Sequence, residues 1–393
     1  MPQALQDWRL SGMADEFRGL NVLENRRCSI VVEDGTVKRI ETEDGVDDNL
    51  FICPGGLVDT QVNGYLGYDY SEKAFESEHA LIISEALEKA GTLQHFATIV
   101  TSPQERIVRN IDLIVKAVEE YEPVRRSLTG IHVEGNFISH LDGPRGAHDP
   151  LFVRKASIEE FDQWYDHSKG LLKYITVGAE AEGVIPLIRH AVKKGVVVSL
   201  GHTGATAQQI DEAVEAGASA CTHLGNGTFS ALDRFNNPLW PQMRNQGLTA
   251  GIIADGCHVD PDLLWIFSRC KDPDHIILVT DLSQCAGLPV GRRMWGNILV
   301  DVVEDGSVRL AGTSYLAGAG SQLLRDVWNY SRFTKTDFVS AFRLATINPI
   351  RMYGLDSSRA RIEEGKKAEF IVFEKTDNGC VIKAVFADGR RII

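Results

Sequence analysis

Two histidines in the stretch VVVSLGHTGATAQQIDEAVEAGASACTHLGN, Val196 to Asn226, each stand where a strand-like segment stops. Val196 to Leu200 is a continuous apolar run, the mark of a strand buried on both faces, and it ends in Gly201-His202. Thr206 to Gln209 has the form of a capping box, and Ile210, Ala213 and Val214 recur on one helical face before Gly217 closes the helix. A second short strand from Ala220 then ends at His223. Two parallel strands joined by a crossover helix thus deliver one imidazole each to the carboxyl edge of a sheet, where α/β folds keep their chemistry. Either histidine alone reads better as a residue capping its strand and bonding to a loop. The pair points to a metal ion.

The other strand ends are also chemically loaded. Leu57 to Val62 brings Asp59 and Gln61, with Asn63 just beyond; Leu128 to Glu134 brings His132 and Glu134; Ile276 to Asp281 brings Asp281. Glu134, His202 and His223 make a ligand set for a catalytic, zinc-like ion with positions left open. Asp281 is placed to take a proton from an attacking water. His132 shares Glu134's side of its strand and suits packing or support. Loops beyond the strands add His148 in RGAHDP, His258 in DGCH, Asn226 and Arg234. The arginine fork suits a phosphate or carboxylate, although a lone loop arginine more often is a solvated charge. His79, His95, His140, His167, His190 and His275 fall outside this pattern.

These residues need a frame to position them. Eight strand-like segments, the five above with His95 to Thr98, Tyr174 to Ala179 and Ala250 to Ala254, alternate with helical ones such as Ser77 to Ala90, Arg106 to Glu119, Ile185 to Lys194 and Gln208 to Glu215. Eight units over about 300 residues predict an α/β fold, a (β/α)8 TIM-type barrel, with a doubly wound open sheet as the alternative. No Gly-x-Gly-x-x-Gly follows an early strand, which weakens a dinucleotide-binding reading. Both ends alternate in short β segments: Cys28 to Ile40 as a hairpin turning at Asp34-Gly35, and Glu369 to Phe386 with turns at Asp377 to Gly379 and Asp388-Gly389. The expected organisation is a small β-sandwich from residues 1–54 and 357–393 around a catalytic barrel of residues 55–356.

Composition sets the outer limits. The 393 residues are 44% hydrophobic and 24% charged, ordinary for a globular enzyme. The net charge of −13 argues against binding nucleic acid or an anionic membrane. No apolar run approaches the roughly 20 residues of a membrane span. Seven scattered cysteines without a Cys-x-x-Cys pair suit free thiols in a reducing compartment, and a cytoplasmic protein is expected.

Taken together, PGGLVDTQVNG (Pro54 to Gly64), GIHVEGN (Gly130 to Asn136), RGAHDP (Arg145 to Pro150), LGHTGAT (Leu200 to Thr206), THLGNG (Thr222 to Gly227), IADGCH (Ile253 to His258), VTD (Val279 to Asp281) and LAGTS (Leu310 to Ser314) resemble the N-acetylglucosamine-6-phosphate deacetylase family of the amidohydrolase superfamily. ATINPIRMYGL and GKKAEFIVF resemble the superfamily's usual close. The resemblance implies one divalent metal ion per subunit on Glu134, His202 and His223, zinc first, with iron, manganese or cobalt also suited to such ligands. It implies Asp281 as general base and then acid, and His148 as the donor to the carbonyl oxygen. Ala147, His148, Asn226, Gly227, Asp255, His258 and the Leu310, Ala311, Gly312 segment would line the sugar-phosphate pocket. Arg234 would reach the phosphate of a neighbouring subunit, which makes a homodimer.

The chain departs from that pattern in places. Gln61 and Asn63 stand where two-metal members of the superfamily carry His-x-His, as in the single-metal branch. Asn136 replaces a common proline, HLGNGTF stands where the family reads close to HLYNAMP, and Leu282-Ser283-Gln284 follow the aspartate. These changes leave room for an epimeric sugar or another N-acyl amine as substrate, or for a non-catalytic sugar-phosphate sensor.

Overall fold

The computed structural model describes residues 14–45, 49–295, 298–304, 306–313, 316 and 318–393; Ser314 of the LAGTS segment lies outside them. The chain forms two compact units, one built from its two ends, up to Gly56 and from Ser358, and one running from Leu57 to Ser357.

In the larger unit eight parallel strands follow in chain order around one sheet: β1 (Leu57–Val62), β2 (Thr92–Val100), β3 (Leu128–Glu134), β4 (Leu172–Val177), β5 (Val197–Leu200), β6 (Ala220–Cys221), β7 (Thr249–Ile252) and β8 (Ile276–Leu278). Every residue of β1 is buried, as strands covered on both faces require. Helices at Ser77–Lys89, Gln104–Glu120, Val184–Lys193 and Ala207–Ala216 fall between them, the last opened by the Thr206/Gln209 capping box and closed by Gly217. This is the expected barrel.

Its interior is layered. Phe96, Tyr174, Ile253, Ile277, Val279 and Tyr353 form an apolar cluster, with Phe96 edge-on to Tyr353. Gly130 makes room for it, since a Cβ there would lie 2.7 Å from the Phe96 ring. Two residues further along their strands the lining turns polar. His132 Nε2 lies 2.7 Å from Thr176 Oγ1, and Thr222 Oγ1 bonds both Thr176 and Ser199 at 2.7 Å.

Five strands stop earlier than their sequences predict: β4 and β7 end at Val177 and Ile252, two residues short of Ala179 and Ala254, and the other three stop short of site residues. β5 ends at Leu200, β6 at Cys221 and β8 at Leu278, short of His202, His223 and Asp281. The cause is backbone conformation: these residues have φ of +47°, +30° and +57°, which no strand residue adopts. Each leaves its strand through a left-handed turn that swings the side chain over the barrel mouth.

The seam between β1 and β8 closes by other means than a full ladder. Asp281 N–H donates to Gln61 O at 3.0 Å and Asn63 N–H to Leu282 O at 2.9 Å. Below them the buried Asp59 carboxylate stands in for a backbone acceptor: Oδ1 takes Thr280 N–H at 3.3 Å and Oδ2 takes its hydroxyl at 2.5 Å. After β8 the chain adds a three-stranded antiparallel sheet, Gly291–Trp295, Ile298–Val302 and Val308–Leu310, which the sequence reading missed.

The terminal unit is one seven-stranded sheet in which Leu50–Pro54 pairs with Phe370–Thr376 from the other end of the chain. Ile30, Val32, Val37, Ile52, Phe370, Val372 and Phe386 share its core. Among the described residues no helix is long and apolar enough to cross a membrane.

Candidate active site

The strand ends converge at the barrel mouth. Glu134 Oε1 lies 2.9 Å from His223 Nε2 and 3.1 Å from His202 Nε2, and the two imidazole nitrogens are 3.1 Å apart. All three side chains are buried, and among the described residues this is the one group whose donors cluster as a metal site needs. Burial alone would push the Glu134 carboxyl up, but hydrogen bonds from His202 and His223 outweigh it and hold it well below the usual range. Burial presses the His223 imidazole down, and its bond to Glu134 more than reverses that. With a cation bound in place of those hydrogen bonds, the carboxylate and both Nε2 atoms would turn lone pairs toward one point.

The surroundings fit a bound cation. His202 Nδ1 lies 3.0 Å from the Pro144 carbonyl, which can only accept, so Nδ1 carries the hydrogen and Nε2 offers its lone pair. This is how a protein fixes the tautomer of a metal-ligating histidine. Gly146 and Gly227 hold the ring in a slot: a Cβ at Gly227 would sit 2.8 Å from His202 Nδ1, and one at Gly146 3.2 Å from its Cε1. One carboxylate and two neutral imidazoles suit zinc, iron, manganese or cobalt alike.

Asp281 stands beside this group. Its Oδ1 accepts from Asn63 Nδ2 at 2.6 Å and from Gln61 Nε2 at 3.1 Å. Gln61 Nε2 also donates to Glu134 Oε2 at 3.1 Å, so one amide spans both carboxylates. Burial and then the Glu134 charge push the Asp281 carboxyl up to about 6. A carboxyl poised near neutrality can both accept and return a proton. His148 reaches the cluster from its loop, with Nε2 3.1 Å from His202 Nε2 and Nδ1 2.7 Å from Thr101 Oγ1. His132, stacked on Tyr174 at 3.8 Å and pressed to about 3 by burial, sits in the layer below.

The remaining candidates divide. Gly227 touches the His202 ring, Ala147 lies between Gly146 and His148, and Asn226 Nδ2 donates to His223 O at 3.2 Å. His258 Nδ1 pairs with Asp255 Oδ2 at 2.7 Å. Arg234 instead stacks on Phe235 of its own loop, 4.5 Å from the ring centroid. Leu310 lies in the antiparallel sheet, and Ala311 and Gly312 donate to Leu299 O and Asp301 of that sheet. The structure therefore gathers Glu134, His148, His202, His223 and Asp281, and leaves Arg234 and Leu310 to Gly312 outside that group. Sequence reasoning missed Thr101 and the Pro144 carbonyl. Thr101 follows the last residue of β2, so the strand-end rule that found the others would have found it; a carbonyl leaves no trace in residue type.

Residues 51–392 match the family described as Amidohydrolase family. The chain is 29% identical over 344 residues to N-acetylgalactosamine-6-phosphate deacetylase of Escherichia coli O157:H7, covering 87% of this chain and 88% of that one. It is 27% identical to N-acetylglucosamine-6-phosphate deacetylase of Vibrio furnissii, covering 90% of each. Among solved structures, a mutant N-acetyl-D-glucosamine-6-phosphate deacetylase from Mycobacterium smegmatis in complex with N-acetyl-D-glucosamine-6-phosphate superposes with a TM-score of 0.83 at 25% identity, covering 97% of this chain and 100% of that one. With the matched region spanning both ends of the barrel and the cluster at its mouth, the chain belongs to the amidohydrolase family.

Proposed function

We propose that this chain removes the acetyl group from an N-acetylated amino-sugar 6-phosphate, N-acetylglucosamine 6-phosphate first, releasing acetate and the free amine. The observation that carries the reading is the meeting of Glu134, His202 and His223 with Asp281 at one barrel mouth. A divalent ion held by those three ligands, zinc first, would supply Lewis acidity, lowering the pKa of water and polarising the acyl carbonyl. Asp281 accepts the proton of the attacking water and returns it to the departing nitrogen. His148 donates a hydrogen bond to the carbonyl oxygen as charge gathers there, the interaction that stabilises acyl-transfer transition states most. Gln61 and Asn63 hold Asp281 in place while it exchanges that proton.

The substrate rests on the relatives and on the pocket loops. Ala147, Asn226 and Gly227 adjoin cluster residues, and with Asp255 and its partner His258 they would face the sugar. Arg234 lies on an exposed loop and would reach a neighbouring subunit's phosphate in a homodimer, with Leu310, Ala311 and Gly312 closing the pocket edge. Free thiols suit a cytoplasmic setting. The division at residues 54 and 357 would leave catalysis to the barrel. A second reading, the galactosamine epimer as substrate, is favoured by the Escherichia coli relative and by the altered segment from Gly225 to Trp240. Amine release from both epimers, before and after chelation, tests the proposal. Chelator-sensitive release from either sugar phosphate is expected, and the preferred epimer names the substrate. A metal-loaded enzyme that releases amine from neither would sink it.

A further inference from the structure

We propose that Thr101 is a positioning residue that sets the tautomer of His148, so that His148 turns an Nε2–H toward the reaction centre. This rests on the reading of His148 as donor to the acyl carbonyl oxygen.

The Thr101–His148 contact works in two ways. Either the hydroxyl donates to a bare Nδ1, or Nδ1–H donates to the hydroxyl. Thr101 is 7% exposed, and among the described residues His148 is the partner of its hydroxyl, at 2.7 Å. Were Nδ1 the donor, the hydroxyl hydrogen would be left without an acceptor inside the protein, a cost that buried groups avoid. The hydroxyl therefore donates, Nδ1 is bare, and the ring hydrogen is on Nε2.

The far side of the ring faces the cluster, with His148 Nε2 3.1 Å from His202 Nε2, so a hydrogen on that nitrogen stands at the reaction centre.

The loop is built to hold this alignment. Asn136 Nδ2 donates to Ser102 O at 2.7 Å and to Phe152 O at 3.1 Å, tying the His148 loop to the residue beside Thr101. Arg154 N–H closes the tie on Asn136 O at 2.9 Å. Gly135, at φ +94°, leaves the gap open: a Cβ there would lie 2.2 Å from Thr101 Oγ1 and 3.2 Å from His148 Nδ1. The residues around the contact thus serve one hydrogen bond.

The test uses the zinc-loaded full chain with 15N-labelled histidine. Two-bond proton–nitrogen correlations should show the wild-type His148 ring protonated at Nε2, and a ring protonated at Nδ1 overturns the proposal whatever the variants do. Thr101→Val keeps the shape and removes the hydroxyl. It should lower kcat about 10- to 100-fold, as loss of a supporting bond to a site histidine does, with KM nearly unchanged and a mixed His148 tautomer. Thr101→Ser should restore both the rate and the spectrum. If His148→Ala is slow while Thr101→Val matches wild type, His148 keeps its role and the proposal about Thr101 fails. If His148→Ala itself keeps full kcat, the reading beneath the proposal fails with it.

Discussion

Replacing Asp59 by alanine tests whether the seam between the first and last strands holds Asp281 in its working position. The substitution removes the acceptor for the Thr280 amide at 3.3 Å, the Thr280 hydroxyl at 2.5 Å and the Gln61 amide at 3.2 Å. Thr280 and Gln61 are each 1% exposed, so water cannot replace the lost partner. Orphaned buried donors cost about 1–3 kcal/mol each. Against that, the change removes a carboxyl that burial pushes up to about 7, and so relieves the cost of holding it there. A net loss of about 2–5 kcal/mol remains, which at about 2–4 °C per kcal/mol lowers the melting temperature by about 4–20 °C. The same loss frees Thr280, the residue before Asp281, and a displacement approaching 1 Å at a catalytic group costs on the order of 100-fold in rate. Thermal unfolding and steady-state amine release on one preparation read both effects. Asp59→Asn keeps one oxygen for the two amides and should lie between the alanine variant and wild type. An alanine variant that melts within about 2 °C of wild type and turns over at the wild-type rate would refute the clamp.

Other expectations follow from the same geometry. Asp281→Asn keeps an oxygen for Asn63 and Gln61 but loses the proton acceptor, so kcat should fall about 100- to 10,000-fold with metal content intact; near-normal turnover would remove Asp281 from its role. Glu134→Gln should reduce bound metal per chain, measured by elemental analysis after dialysis, by weakening the one anionic ligand, and unchanged metal content would argue against this ligand set. Burial pushes the Asp69 carboxyl up to about 7, whereas unfolded it titrates near 3.9. Between those values the folded chain keeps a proton that the unfolded chain releases, so this group's contribution to stability falls as pH rises through that window. Asp69→Asn should flatten the fall in denaturant midpoint from about pH 5 to about pH 7.5; an unaltered slope would place its origin elsewhere.

What the sequence made legible was whatever residue type and period encode. The apolar runs of β1 and β3 and the capping box at Thr206 read correctly because local pattern and global fold agree there. Glu134, His202, His223 and Asp281 were found by one rule, that chemistry gathers at strand ends, and His148 by looking to the loops beyond them. The same rule overran β5, β6 and β8, because a left-handed residue does not announce itself in a histidine or an aspartate. The antiparallel insert after β8 went unread: its strands are three to five residues long, too short for a period to emerge. Asp59 was noticed as a strand-end acid, but that it closes a seam depends on Thr280, 221 residues away. Backbone partners such as the Pro144 carbonyl are invisible in sequence by nature.

The left-handed turns at His202, His223 and Asp281 set selection for stability against selection for turnover. Each places a non-glycine residue where the backbone favours glycine or asparagine, at a cost of about 1 kcal/mol or more. Folding alone would trade these side chains away, and only turnover retains them. A descendant released from catalysis is therefore expected to drift first at these three positions, toward glycine and asparagine, while the barrel beneath stays intact. Retention of all three at once is thus a mark of an enzyme still at work, and it can be read in any related chain before an assay is run.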